Sequence, residues 1–369
     1  MLNGDAVSSG AAKTHRASSE DLHHKGSTRG HANMRMLWTT GYADLIRRDH
    51  YALLDVPPGA TGTLLEAGCG TGIETSNLRR MAPNLAVHGI DISGVALTQA
   101  VQNNLDPLVQ FSQSSLDCLP YPDASFDYLS MHEVIEHVED PAITLKELFR
   151  VLRPGAVSAI ATPNGASLFP EHVRQRFARL FGSRGAPVGE DHVRPPSYWR
   201  RQFAEAGFVL ERQMFDASAI ELQTYILPAS WMPWTSRLLE PLRNVPGINV
   251  LICDRIKFRI RKPGHSPPAT VPLKPCCPIC RADLKETASE AVCLQGHGFG
   301  RSPTGLLDFT AMAGSSSGGA EPAKASGSRI PRRLVLGSAL LIYIGFVVCL
   351  LPVGWFMRRI DDPFLDLAR

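Results

Sequence analysis

The sequence has no strong excess of either charge. Its 38 Lys and Arg against 35 Asp and Glu leave a formal +3 over 369 residues. That is too near neutral for a protein that lives by neutralising phosphates, so nucleic acid is not the expected partner. No apolar run lies at the beginning. Residues 1–33 are rich in Ser, Gly and His, which speaks against a cleaved signal peptide there and for a disordered tail with His23 and His24 solvated. Eight cysteines in this length do not make a disulfide scaffold. Four of them fall between Cys276 and Cys293, which points to metal chemistry in a reducing compartment. No internal repeat is visible. What is present is an apolar content of 44% and a length that suits two or three domains with a sizeable core.

The chain opens its ordered part with Met34–Leu54, where aromatic, apolar and basic residues alternate as in one helix or two. Strands are then expected at 63–68, 86–91, 108–112, 127–134 and 156–162. Helices fall between them at 73–81, 94–104 and 142–152, the last stopped by Pro154-Gly155. Strands alternating with helices predict an α/β fold, a Rossmann-like, mostly parallel sheet with right-handed crossovers. A helix at 197–206 and strands at 208–216 and 251–261 bring the sheet to seven strands and the domain to residues 34–262.

Residues 263–275 are a proline-rich linker, 276–310 a second compact unit, and 311–331 a Gly/Ser/Ala linker. Leu334–Phe356 is 23 residues without a charge, bracketed by Arg332-Arg333 and Arg358-Arg359. As a helix it would span about 34 Å, enough for the hydrocarbon core of a bilayer. Residues 332–360 are therefore expected to be a transmembrane helix with basic flanks, and 361–369 a short tail. A buried core helix is the alternative reading.

The central motif is Leu64-Leu65-Glu66-Ala67-Gly68-Cys69-Gly70-Thr71-Gly72. A buried strand ends in an acid, and three glycines alternate through a tight turn before a helix. Glycines belong where backbone must bend sharply and let a ligand lie against it. The residue three after Gly70 is Ile73, so the dinucleotide fingerprint is broken. An acid so close would repel a pyrophosphate and suits a cationic ligand with an amino group. Asp91, at the end of the second strand, is placed for paired ribose hydroxyls. Downstream stand Leu119-Pro120-Tyr121-Pro122-Asp123, then Met131-His132-Glu133-Val134-Ile135-Glu136-His137, then Arg150-Val151-Leu152-Arg153-Pro154-Gly155, then Thr162-Pro163-Asn164.

These landmarks, in this order, resemble the class I S-adenosylmethionine-dependent methyltransferases. Within them the chain looks most like the type 11/type 23 group that includes ubiquinone-biosynthesis O-methyltransferases. The resemblance implies donor contacts at Glu66, Gly68, Cys69, Gly70 and Gly72, with the ribose at Asp91 and Ile92. It places the adenine near Ser115 and Leu116, where relatives often carry an Asp in place of Ser115, and adds His132 at the end of the fourth strand.

Methyl transfer needs an acceptor aligned in line and relieved of its proton. Glu133, Glu136 and His137 are the catalytic candidates. Their spacing resembles a divalent-metal motif of some relatives, which implies magnesium held by Glu133, Glu136, His137 and His192. A metal-free base at His137 and a helix-capping histidine stay open beside it. Residues 166–185 alternate apolar and basic residues as in an amphipathic helix, either a membrane-surface element or a substrate lid. Tyr225–Trp234 adds an aromatic, proline-broken stretch.

Cys277, Cys280, Cys293 and His297 give C-x2-C-x12-C-x3-H, a zinc spacing. The surrounding segment resembles the small zinc ribbon of certain rRNA guanine methyltransferases. A four-ligand site is closed and structural. The expectation is a single-pass membrane methyltransferase with catalytic and zinc domains facing the cytoplasm. Its acceptor would be small or lipid-linked, such as a quinone precursor or glycan intermediate. An rRNA or tRNA methyltransferase and a non-catalytic membrane scaffold are the rivals.

Overall fold

The computed structural model describes residues 41–168, 193–218, 238–268, 273–302 and 304–312. The expected basic helix after Ala166, the Tyr225–Trp234 stretch, His192 and the span 334–356 all lie outside these residues, apart from the three residues 166–168. Among the described residues, no helix is long and apolar enough to cross a membrane.

The elements run α1 (Gly41–Leu54), β1 (Gly62–Ala67), α2 (Ile73–Met81), β2 (Leu85–Asp91), α3 (Gly94–Asn103), β3 (Val109–Gln113) and β4 (Phe126–His132). They continue with α4 (Pro141–Val151), β5 (Leu152–Pro163), α5 (Pro196–Glu205), β6 (Val209–Ser218), α6 (Ile248–Ile252) and β7 (Cys253–Arg261). Four short strands close the described chain: β8 (Leu284–Glu286), β9 (Glu290–Cys293), β10 (Gly298–Arg301) and β11 (Leu307–Met312).

The sheet order is β6-β7-β5-β4-β1-β2-β3. Strands β1 to β5 pair in parallel, while β7 runs antiparallel to both β5 and β6. Strand β1 is buried from Thr63 to Ala67, as a parallel strand covered on both faces must be. It lies between β2 and β4, so the order reverses there and a crevice opens at the carboxyl ends of the strands.

Helices α4 and α5 pack on one face of the sheet, with Leu145, Leu148, Trp199 and Phe203 in the larger core against Phe258 and Ile260. Helix α4 starts where expected because Asp140 accepts from the amides of Ala142 and Ile143, with Pro141 in the first turn. It stops earlier than expected. Pro154 and Gly155 lie inside β5, at the slip where Phe126 faces Leu152 but Tyr128 faces Val157. A proline and a left-handed glycine are tolerated there because the ladder is already broken.

The ribbon lies against the edge of this sheet. Strand β11 pairs in parallel with β3 through Asp308 and Gln113, so the four ribbon strands extend the sheet to eleven. The separate unit expected after a linker is joined edge to edge to the α/β domain.

Candidate functional site

The turn between β1 and α2 is built from left-handed backbone, with φ of 76° at Gly68, 52° at Gly70 and 74° at Gly72. Only glycine adopts such angles without cost. At Gly68 space is limiting too, since a Cβ would lie 2.3 Å from a Val134 methyl. That close approach seats residues 133–137 against the turn. A Cβ at Gly70 would meet nothing within 4 Å, so the turn is open there.

The amides of Gly68 and Cys69 both donate to the Ile90 carbonyl, at 2.7 and 3.0 Å. The Cys69 carbonyl accepts from Gly72, and its thiol is buried with Leu97, Ala100 and Phe111. Gly68 and Cys69 therefore shape the turn, and neither offers a free amide to a ligand. Asp91 accepts from the Gly70 amide and from the Ser93 amide, each at 2.8 Å. Its carboxylate thus sits beside the open part of the turn.

Glu66 is buried under the turn and accepts from the Thr75 hydroxyl. Burial pushes its carboxyl up to about 8, with the charges of Glu74 and Asp91 adding to the effect. An arriving ammonium would reverse that. Glu74 is held from the far side by Arg47, at 2.6 Å, and by the Tyr51 hydroxyl, which fixes α1 over α2.

On the other flank the Ser114 amide donates to the Asp91 carbonyl at 3.1 Å, leading Ser115 and Leu116 past the crevice. Leu116 is buried in the core, so what it presents is backbone. The Ile92 carbonyl accepts from Gln113 at 3.0 Å. An open depression of about 720 Å³ lies elsewhere, between α1 and the later turns of α2, lined by Arg47, Tyr51, Asn77 and Arg80 among others.

The three catalytic candidates do not converge. Glu133 has a left-handed backbone, φ 57°, and its carboxylate lies 3.4 Å from the Arg255 guanidinium. Glu136 is buried and accepts from the Thr162 hydroxyl at 3.1 Å. Burial and then the Glu133 charge hold its carboxyl well above the usual range. The His137 ring is half exposed, its Nε2 3.8 Å from Glu136. Among the described residues, these three do not gather ligand atoms around a common point. The magnesium expectation finds no support, since Glu133 is spent on Arg255.

Beside them lies a floor of which sequence reasoning named only His132. His50 of α1 meets the Ser130 hydroxyl at 3.0 Å and packs edge-on against His132, 5.1 Å between ring centres. Burial pushes His50 down to about 3, with Lys257 adding, and pushes His132 well below the ordinary range. Both imidazoles are neutral at pH 7. Lys257 is fully buried and paired with Asp216. The signal was in β7, where Arg255, Lys257, Arg259 and Arg261 alternate with Ile256, Phe258 and Ile260. Period two puts the basic set on one face.

The sulfur and nitrogen atoms of Cys277, Cys280, Cys293 and His297 all lie within 4.8 Å of one another. Cys280 and Cys293 sulfurs are 3.6 Å apart, and His297 Nδ1 is 3.5 and 3.4 Å from Cys277 and Cys293 sulfurs. A zinc tetrahedron has S···S edges of about 3.8 Å and S···N edges of about 3.6 Å. The donor set and its spacing fit that ion.

A methyltransferase-domain family model matches residues 65–160. The trans-aconitate 2-methyltransferase of an Azoarcus strain is 32% identical over 184 residues, 46% of this chain and 68% of that protein. A Mycolicibacterium smegmatis protein, named as a probable S-adenosylmethionine-dependent methyltransferase, is 38% identical over 107 residues, 29% of this chain and 40% of that protein. The chain spans about two fifths of the length of such curated relatives. A solved S-adenosylmethionine-dependent methyltransferase from Mesorhizobium loti aligns with a TM-score of 0.43 and 18% identity, covering 58% of this chain and 96% of that one. The Azoarcus relative, matched over two thirds of its length, shows that the chain belongs to the S-adenosylmethionine-dependent methyltransferase family, and the glycine turn, its buried acid and Asp91 at the switch point agree.

Proposed function

We propose that the chain binds S-adenosylmethionine in the crevice above β1 and transfers its methyl group to an oxygen of a small or lipid-linked acceptor. The observation that carries this is the pairing of Glu66 and Asp91 across an open, left-handed glycine turn. Glu66 takes the donor's amino group, Asp91 the ribose hydroxyls, and the backbone at Ser115 and Leu116 the adenine. The bound donor supplies a methyl already activated by its sulfonium, so the protein's work is alignment and proton removal. His137, half exposed beside the buried Glu136, is placed to take the acceptor proton without a metal. The neutral His50–His132 pair lines the crevice without charge.

A compact acceptor agrees with the Azoarcus relative, which is named as a trans-aconitate 2-methyltransferase. The apolar stretch 334–356 with its basic brackets would tether the chain to a membrane, with the soluble parts on the cytoplasmic side, and would favour a lipid-soluble acceptor. Zinc, in this reading, is structural.

Calorimetric titration of the full chain with S-adenosylmethionine tests the first step. Transfer of a labelled methyl group into organic extracts of membranes tests the second. Saturable donor binding with label in the extract supports the proposal. A folded, zinc-loaded chain that binds no donor leaves the scaffold reading in its place.

A further inference from the structure

The zinc unit reaches into the donor half of the catalytic domain, and one charged side chain, Arg281, carries the link from the metal turn itself. Arg281 follows Cys280 directly, and its backbone is left-handed, φ 64°. Its amide donates to the Cys277 carbonyl at 2.8 Å, while the Cys277 amide donates to Ala282 at 2.9 Å. This is the tight turn that brings Cys277 and Cys280 onto one ion. A long side chain in that conformation is uncommon and is held by what surrounds it.

The guanidinium of Arg281 leaves the ribbon altogether. It donates to the Leu119 carbonyl at 2.8 Å and lies 3.2 Å from a carboxylate oxygen of Glu147. That same oxygen of the buried Glu147 accepts from the Leu119 amide at 2.8 Å. Beside it, the Cys276 amide donates to the Pro120 carbonyl at 2.8 Å, and the Cys118 thiol donates to Pro278 at 3.2 Å. Residues 118–120 are thus fixed by the segment 276–281. They continue directly from Ser115 and Leu116, which leave β3 beside Asp91. At the other end of the unit, Leu306 packs on the cluster that contains Cys69 of the glycine turn.

We propose that Arg281 is a positioning residue, which the metal-closed turn at Cys277–Cys280 aims at Leu119 and Glu147, so that zinc occupancy sets the affinity of the donor site. The proposal rests on the donor reading given above. Without the ion the Cys277–Cys280 turn is held by two backbone hydrogen bonds, Arg281 to Cys277 and Cys277 to Ala282, and the four ligand side chains are free to part. Arg281 then loses its bearing, and the loop from Ser115 to Tyr121 keeps as its ties to α4 the Leu119 amide on Glu147, the Arg150 guanidinium and the Thr144 hydroxyl on Asp117. Ordering that loop at the moment of binding costs donor affinity.

The test uses the full-length chain loaded with zinc. Donor affinity is read by calorimetry with S-adenosylmethionine, metal content by atomic absorption, and exchange of the amides in 114–122 by mass spectrometry. Arg281→Ala should keep one zinc per chain, weaken the donor on the order of tenfold, and speed exchange in 114–122. Arg281→Lys, which can still reach the Leu119 carbonyl, should recover part of the loss. Arg301→Ala, a cation elsewhere on the ribbon paired with Glu286, should change nothing. Stripping zinc from the wild type should reproduce the Arg281→Ala losses and add little to that variant. Once an acceptor is found, the donor KM should rise with kcat kept. Zinc-loaded Arg281→Ala with wild-type affinity and wild-type exchange overturns the proposal, as does a stripped wild type with both unchanged. Should Arg281→Ala fail to fold, Arg281→Lys and the stripped wild type carry the same comparison. If the zinc-loaded wild type binds no donor at all, it is the donor reading that falls, and loop exchange still reports whether zinc braces 114–122.

Discussion

Replacing Glu66 by Gln should make the protein more stable and a worse binder, and both effects can be sized. Glu66 is buried beneath the glycine turn, and its carboxyl is raised from 4.5 to about 8, chiefly by burial. In the unfolded chain it ionises in the ordinary range. Between those values the folded state holds a proton that the unfolded state has released, so stability falls as pH rises. At 1.36 kcal/mol per pH unit, the penalty is about 1 kcal/mol at pH 5 and about 4 kcal/mol at pH 8. Gln carries no proton to lose and still offers an oxygen to the Thr75 hydroxyl. Urea denaturation of both proteins from pH 5 to pH 8 should therefore show the variant gaining about 3 kcal/mol on the wild type across that range. Every other titrating group is common to both proteins and cancels. Donor affinity should move the opposite way. Loss of a charge-assisted hydrogen bond to the donor's ammonium is worth about 1.5–3 kcal/mol, roughly ten- to a hundredfold in Kd. Wild-type binding near pH 7 should also release about one proton from Glu66, seen as a buffer-dependent heat that the variant lacks. Parallel stability curves for the two proteins would refute the buried-acid argument. A variant with unchanged affinity would refute its role toward the donor.

Three further outcomes follow from the same geometry. Asp91→Ala should weaken donor binding by about 1–3 kcal/mol in calorimetry, as a charged acceptor is lost beside the turn; its bonds to Gly70 and Ser93 go to solvent, so its Tm should fall little. Gly68→Ala should cost about 2–4 kcal/mol in chemical denaturation, combining φ 76° with a Cβ placed 2.3 Å from Val134. Lys257→Met should cost about 3–5 kcal/mol by leaving Asp216 charged and buried, while Lys257→Met with Asp216→Leu should recover most of it in the same measurement.

The parallel strands were legible because a strand covered on both faces reads as a short apolar run, as in Leu64-Leu65 of β1 and Leu85-Ala86-Val87 of β2. The glycine turn was legible because a left-handed backbone leaves its mark in residue type. Proximity in sequence says less. Glu136 and His137 stay side by side, while a left-handed backbone at Glu133 turns its carboxylate toward Arg255, more than a hundred positions later. Pro154-Gly155 read as a helix stop, yet Asp140 had set the helix's start and the chain had already entered β5.

The donor and acceptor halves differ in how they are encoded. One turn and two acids, all within Glu66–Asp91, make up most of the donor side, so a local pattern suffices to find it. The floor of the crevice draws His50 from α1, Ser130 and His132 from β4, Thr162 from β5, and Arg255 and Lys257 from β7. No window of sequence holds these together, and only the order of the strands brings them to one end of the sheet. The link between the zinc turn and the donor loop is of the same kind. Arg281 looks like any exposed ribbon residue until the ribbon docks on the domain, because its partners Leu119 and Glu147 are brought to it by the β11–β3 pairing and by the bonds of Cys276 and Pro278 to residues 118–120, all far from them in the chain.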